Sequence, residues 1–332
     1  MSEFLDEDEM RMCRVLLSNT SITILNNRVN SEPFETNVGS PQGDGISGSF
    51  FNIYFERALR KLREKMFIAS PAIDHNYATP SSIPHELIYA DDANFVTTDA
   101  NEDEKLNSIV KDTLATENLN VNDSKTEKTT IERKQRDEEK WRLVTKLGSM
   151  IGDSEVVISR KQLAAAAATS MEKIWIRTNK ISIKKRLQLY NSLVKPVLTY
   201  NSGTWGLTKA ESESMNAFHR QQIRKVYKNS RLKNAHVYEL SNSVPIAQEI
   251  AASRARLLGH TLRLDKATPA QKSMQYYFEN NAQSKQFRGK PRTTIATVIN
   301  AEIKEAAAHR TQPNQYFPDS FESLADLYKS GN

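Results

Sequence analysis

Apolar positions change their period along this chain. Over residues 10–17 they recur at helical spacing, so Met10 to Leu17 is predicted as a helix. Ile22 to Val29 and Phe34 to Val38 read as two strands pairing back across Arg28-Val29-Asn30-Ser31, with Glu32-Pro33 near the bend. From Phe50 to Met66, residues Phe51, Tyr54, Phe55, Ala58, Leu59 and Leu62 fall three or four positions apart, the stripe of a long helix that buries one face. Ala69 to Pro84 is polar and Pro-punctuated, hence a connecting loop. Leu87-Ile88 then leads into Tyr89-Ala90-Asp91-Asp92, and Phe95-Val96 leads out, which reads as strand, tight turn, strand. Asn101 to Asn118 has helical spacing, with Asp99 or Asn101 as its cap. Leu119-Asn120-Val121-Asn122 is strand-like and precedes a loop at Lys125-Thr126-Glu127, and Lys146-Leu147-Gly148 begins a second short hairpin. Strands interleaved with long helices lying on one sheet face predict an α+β first part.

From about Gln162 the pattern becomes helical. Ala164 to Ala168 has high helix propensity, and Trp175, Leu187, Tyr190, Leu193 and Val197 recur at helical spacing, a stripe that reads as core rather than as base-stacking surface. Pro196 interrupts or kinks that helix. Trp205, between Gly203 and Gly206, falls in a turn. Tyr238 to Arg263 reads as two helices around Pro245, with His260 a structural histidine beside Leu258-Gly259 rather than a ligand. Gln283 to Thr294 is a basic linker, Ala301 to Ala308 a final helix, and the tail after Gln312 is expected to fray. The organisation expected is therefore 1–158 α+β, 159–232 helical, and 233–332 a helical, basic extension with a flexible tail.

Charge refines this picture without deciding it. With 46 Lys plus Arg against 40 Asp plus Glu, the net charge is +6 and the pI about 9.1. The amino-terminal segment is acidic, whereas Lys173 to Lys195 and Gln221 to Lys233 are basic, either phosphate-contacting runs or the solvated faces of amphipathic helices. The single cysteine, Cys13, excludes an internal disulfide and a Cys-based zinc knuckle, and its place in an apolar-periodic helix predicts buried packing. No signal peptide and no run long enough to span a bilayer are present, so an intracellular protein, nuclear or cytoplasmic, with no membrane partner is expected; nothing in the sequence sets its oligomeric state.

The chemistry concentrates at Asp91 and Asp92. Two adjacent carboxylates at a tight turn repel each other, and a cation beside them relieves that repulsion. Ligation by oxygen alone points to magnesium or manganese rather than zinc. Asp also tolerates the left-handed backbone that such turns require. Acidic pairs in loops are commonly just solvated, however, so other segments must decide. Upstream, Ser40-Pro41-Gln42-Gly43-Asp44-Gly45-Ile46-Ser47-Gly48 passes into a helix; its glycines permit close approach of a backbone or base, and the helix start offers free amide N–H groups.

Taken in order, SPQGDGISG, YADD, LNVNDSKTE and KLG resemble the motifs of reverse transcriptases, more narrowly those of non-long-terminal-repeat (LINE-type) retrotransposons. The likeness extends through Ile181 to Trp205, which resembles the helical thumb of such elements, to Arg256 through Arg263 and to Arg288-Gly289-Lys290-Pro291-Arg292, covering about Leu16 to Ile299. It implies RNA-directed DNA polymerisation: an RNA template, a DNA primer, dNTP and Mg2+, with Mn2+ as the alternative ion. Asp91 is then a direct metal ligand and Asp92 a weaker one. Pro41, Gln42 and Gly43 lie against template and incoming nucleotide, Tyr89 beside them, and Ala90 leaves room for the primer end. Lys125 acts near the pyrophosphate leaving group; a solvated loop lysine is the other reading. One departure stands out: the family's further metal-binding Asp, on an apolar strand well upstream, has no counterpart here, since the acidic run Asp6 to Glu9 reads as a helix start. The resemblance thus implies the second half of a polymerase palm plus thumb, lacking fingers and inactive alone, or a non-catalytic nucleic-acid-binding remnant.

Overall fold

The computed structural model describes residues 4–18, 20–36, 45–69, 86–97, 100–129, 144–150, 153–172, 180–283 and 293–308. They fall into two compact units, Met1–Thr126 and Glu127–Asn332. The protein is mostly helical with small antiparallel pairings, a mixed α+β architecture in the first unit and a helical one in the second. Among the described residues no helix is long and apolar enough to cross a membrane.

The first unit begins with α1 (Glu7–Leu17), whose acidic start is a reciprocal cap: Asp6 Oδ1 accepts from Glu9 N at 2.8 Å and Glu9 Oε2 accepts from Asp6 N at 3.0 Å. No α1 residue is buried, and Cys13 is only partly covered. The expectation of a packed cysteine is corrected, because the first unit's core takes no residue from α1. The expected strand Ile22 to Val29 is also corrected. It breaks into β1 (Thr20–Ile22) and β2 (Leu25–Asn26); β2 pairs with β3 (Val29–Asn30), and β1 pairs with β4 (Phe34–Thr36), in one nested antiparallel hairpin. The bend lies at Asn27-Arg28, both left-handed at φ 49° and 67°, earlier than the Glu32-Pro33 bend the sequence suggested. Two consecutive positive φ values match the right-handed twist of the flanking strands, and Asn accepts that backbone readily. Where the two pairings meet, Ile24 and Ser31 exchange bonds: Ser31 N donates to Ile24 O at 2.9 Å and Ile24 N to Ser31 Oγ at 3.0 Å.

Helix α2 (Ser47–Ala69) supplies the first unit's core. Phe55, Ala58, Leu59, Leu62 and Met66 are buried, packing with Leu106 and Val110 of α3 (Ala100–Thr116). The chain leaves α3 through Asn118, at φ 55°; Leu119 N donates to Leu114 O at 2.9 Å and Asn118 N to Ala115 O at 3.1 Å. That is the helix-stop geometry in which a left-handed residue satisfies the last carbonyls, with Leu119 and Leu114 both on the core. Leu119 to Asn122 is therefore coil, not the strand-like segment expected, because the cap turns it back onto the helix.

The second unit opens with a tight hairpin, β7 (Thr145–Lys146) and β8 (Ser149–Met150), turned at Leu147 and Gly148, φ 47° and 72°. Helices α4 (Asp153–Ser170), α5 (Ile183–Leu189), α6 (Lys195–Leu198), α7 (Lys209–Tyr227), α8 (Asn234–Ser241) and α9 (Ile246–Arg263) follow, then α10 (Pro269–Gln283) and α11 (Ile295–Ala308). Between α5 and α6 the backbone widens into a π-helical turn, Tyr190–Val194, in which Lys195 N donates to Tyr190 O five residues back. Pro196 follows immediately; it lacks an N–H and its ring would clash with the carbonyl four residues earlier, and the wider turn removes that conflict. The core contains Tyr190, Val194, Leu198, Trp205, Met215, Ile223, Ile246 and Ile250. Leu193 stands 43% exposed, so the apolar stripe is not core throughout. Trp205 follows a 3-10 turn at Ser202–Thr204 and is 2% exposed. The turn is glycine-dependent, since a Cβ on Gly203 would lie 3.2 Å from Ser253 O of α9.

Candidate active site

Strands β5 (Glu86–Tyr89) and β6 (Asp92–Phe95) form the hairpin the sequence predicts, with Tyr89 opposite Asp92 and Ala90-Asp91 as its two-residue turn. Alternation puts Ile88 and Phe95 on the face that packs on the α2–α3 core, and Leu87, Tyr89, Asp92 and Asn94 on the other. Arg63 of α2 holds the base of the hairpin, its Nε and Nη2 reaching Glu86 Oε1 at 2.8 and 2.6 Å. The tip consequently projects from a fixed base, with Tyr89, Ala90, Asp91 and Asp92 all exposed. The left-handed residue of the turn is Ala90, φ 53°, not either Asp, which corrects the expected backbone role of the carboxylates. A left-handed alanine is uncommon and carries strain, and hairpin packing against the core holds it in place.

Lys125 is exposed in a turn closed by Asn122, whose carbonyl accepts from Lys125 N and Thr126 N, both at 3.0 Å. Lys111 of α3 pairs with Asp123 at 2.7 Å beside it. The carboxylate hairpin and this turn therefore hang from one core, the hairpin through Ile88 and Phe95, the turn through Leu119 and Val121. Pro41, Gln42 and Gly43 lie outside the described residues, as does most of the Ala69 to Pro84 loop. At Gly45, and at Gly48 in the first turn of α2, an added Cβ would meet no atom of the described residues within 4 Å.

The carboxylate oxygens of Asp91 and Asp92 are the right donors for a hard divalent ion and are open to solvent. Among the described residues no group of three or more His, Cys, Asp and Glu is placed to hold one. In chemical kind the hairpin's carboxylates fit a divalent metal.

Sequence reasoning missed Glu117. Its carboxylate, nearly buried at the end of α3, accepts from Lys61 and lies 3.6 Å from Arg57, while Tyr54 donates to its backbone carbonyl. The Lys61 hydrogen bond holds this carboxyl below its ordinary range. Tyr54, Arg57 and Lys61 recur three and four residues apart on α2, beside the apolar stripe, and that flank was the available signal.

The KLG hairpin belongs to the second unit. Tyr200 donates to Leu147 O at 2.8 Å, and Arg160 donates to Gly148 O while lying 4.5 Å over the Tyr200 ring. Burial lowers the Arg160 pKa. His260 is exposed, contrary to the structural role expected of it. The buried histidine is His219, fully covered, with Nδ1 2.6 Å from the Tyr190 hydroxyl.

Residues 4–173 match the family model for reverse transcriptase (RNA-dependent DNA polymerase). The chain belongs to the reverse transcriptase family. No curated protein and no solved structure matched it. The match takes in the Asp91-Asp92 hairpin, the Lys125 turn and the KLG hairpin, and ends before α5. Reverse transcriptases bind a nucleic-acid template and primer together with dNTPs and generally use divalent metal ions.

Proposed function

We infer that this reverse transcriptase chain is of the LINE type and carries the second half of a palm, residues 1–158, a thumb at 159–232 and a basic helical extension at 233–332. The reaction of its family is template-directed addition of dNTP to a primer 3′ end on RNA, to which this chain contributes the carboxylate hairpin. The supporting observation is the hairpin itself: two acceptor-only side chains at an exposed, core-braced turn, with a lysine turn fixed to the same core. When bound at such carboxylates, divalent metal supplies acidification of the primer hydroxyl and neutralises charge on the triphosphate.

The protein's own residues have separate tasks. Asp91 offers oxygens at the turn and Asp92 a further pair from the solvent-facing side of β6. Ala90 keeps the tip small where the primer end lies. Lys125 neutralises, or donates a proton to, the departing pyrophosphate. Among the described residues no third ligand joins the two carboxylates, and a pair holds an ion weakly, so the chain is expected to bind Mn2+ at the hairpin but not to extend a primer. The decisive test is paramagnetic broadening by Mn2+ of the amide resonances of residues 89–94. Broadening centred there and lost in Asp91→Ala supports the assignment, and broadening that ignores the substitution removes it. Primer extension on poly(rA)/oligo(dT) with magnesium should stay at the Asp91→Ala background, and incorporation above it shows a complete metal set. The second reading, a nucleic-acid-binding remnant, is favoured by the basic runs of the second unit.

A further inference from the structure

Helix α2 carries polar side chains on both flanks of its apolar stripe. At about 100° per residue, Tyr54, Arg57 and Lys61 fall to one side of Phe55, Leu59 and Leu62, and Glu56, Arg60 and Arg63 to the other, each group about 120° from the middle of the stripe. The two flanks hold different parts of the first unit. Arg63 uses all three of its guanidinium nitrogens. Nε and Nη2 reach Glu86 Oε1 at 2.8 and 2.6 Å, and Nη1 donates to Glu56 Oε1 at 3.1 Å, an oxygen that also accepts from Arg60 Nε at 3.1 Å. The fork cannot turn without losing a carboxylate, so Glu86, the first residue of β5, takes its bearing from α2.

On the far flank Lys61 donates to the Glu117 carboxylate, Arg57 Nε lies 3.6 Å from it, and Tyr54 donates to the Glu117 carbonyl. The chain turns off α3 at the next residue, left-handed Asn118, and the Lys111 pair with Asp123 ties the lysine turn back to α3. One helix thus grips the carboxylate hairpin by one flank and the root of the Lys125 turn by the other. Apolar contact alone does not fix this arrangement: Ile88, Phe95, Leu119 and Val121 pack on the core without directional preference, whereas charge-assisted bonds set an angle. Fully exposed ion pairs contribute little, but the Glu86 and Glu117 side chains keep only 15% and 8% of their exposure.

We propose that Arg63 and Lys61 are positioning residues, which through Glu86 and Glu117 hold the Asp91-Asp92 tip and Lys125 at a fixed separation across α2. Their purpose rests on the polymerase reading, in which the carboxylates and the lysine act on one triphosphate; their geometry does not. Dipolar coupling between nitroxides on Tyr89→Cys and Lys125→Cys, in a full chain carrying Cys13→Ser and without metal, tests it. The distance distribution should be single and narrow. Arg63→Met and Lys61→Met should each widen it roughly twofold, Arg63→Met/Glu86→Gln no further than Arg63→Met alone, and Arg63→Lys, which keeps the charge without the fork, should fall between. Arg11→Met, which removes only the exposed pair with Asp8 on α1, should leave the width unchanged. A purely stabilising role lowers the urea midpoint and leaves the native-state width as it was. Unchanged widths in Arg63→Met and Lys61→Met, or equal widening in Arg11→Met, overturn the proposal. Should Arg63→Met fail to fold, Arg63→Lys and Glu86→Gln give the same reading, and narrow distributions in both overturn it. Failure of Mn2+ to bind at Asp91 sinks the polymerase reading and leaves these widths as expected, whereas unchanged widths in a chain that binds Mn2+ sink the positioning role alone.

Discussion

At the residue scale, two side chains are held in states their sequence neighbours do not explain. Ala90 sits at φ 53°, where a β-branched side chain is strongly disfavoured, so Ala90→Val should destabilise the first unit by on the order of 1–2 kcal/mol. The check is a lower urea midpoint with an unchanged slope. His219 is pushed down to about 4 by burial, with Lys195 and Arg220 adding to the effect. Its folded value is below its unfolded one, so the unfolded chain binds the extra proton first. The stability involved is complete above about pH 6.5 and is lost as pH falls towards 4, a change of about 3 kcal/mol. Urea melts at pH 7 and pH 4.5 should therefore show a fall that is markedly smaller in His219→Gln. Sequence pointed to His260 instead, since a histidine beside Leu258-Gly259 looks covered. What buries His219 is Tyr190 of the π-helical turn and Tyr238 of α8, whose ring centroid is 6.4 Å away; neither is near it in the chain.

At the element scale, caps and close approaches decide where helices begin and how near they come. Thr208 caps α7, accepting from Glu211 N at 3.2 Å while Glu211 accepts from Thr208 N at 2.8 Å. Thr208→Ala should cost about 1 kcal/mol, measured as a shift in the second unit's midpoint. Gly203→Ala should cost on the order of 1–3 kcal/mol, because the new methyl meets a backbone oxygen of α9 that cannot step aside. The long helices were legible because their signal is local: the apolar spacing of α2 is itself the face that packs on α3. The first hairpin was less so. Its bend at Asn27-Arg28 has no glycine to mark it, and the run from Ile22 to Val29 reads continuously until two left-handed residues break it. Leu119 to Asn122 failed for the related reason that a left-handed Asn118 turns an alternating run into a helix stop.

At the scale of the whole molecule, the two units have separate apolar clusters among the described residues, one on α2 and α3 in the first unit, and in the second unit one on α4 through α9 and a smaller one joining α9, α10 and α11. Urea unfolding should accordingly show two transitions, with Ala90→Val moving one and Gly203→Ala the other, followed by the near-UV signal of Trp205 for the second unit. A single transition shifted by both substitutions is the contrary result. What the sequence by itself determined is the hairpin and the family: adjacent carboxylates at a two-residue turn need only neighbouring residues, and so do the helical stripes that support it. Tertiary structure alone decided which polar groups leave water. Glu117 between Lys61 and Arg57, His219 against Tyr190 and Arg254 on Trp205 O are each buried by partners tens of residues away. Burial depends on the sum of such distant contacts, and no local pattern along the chain records it.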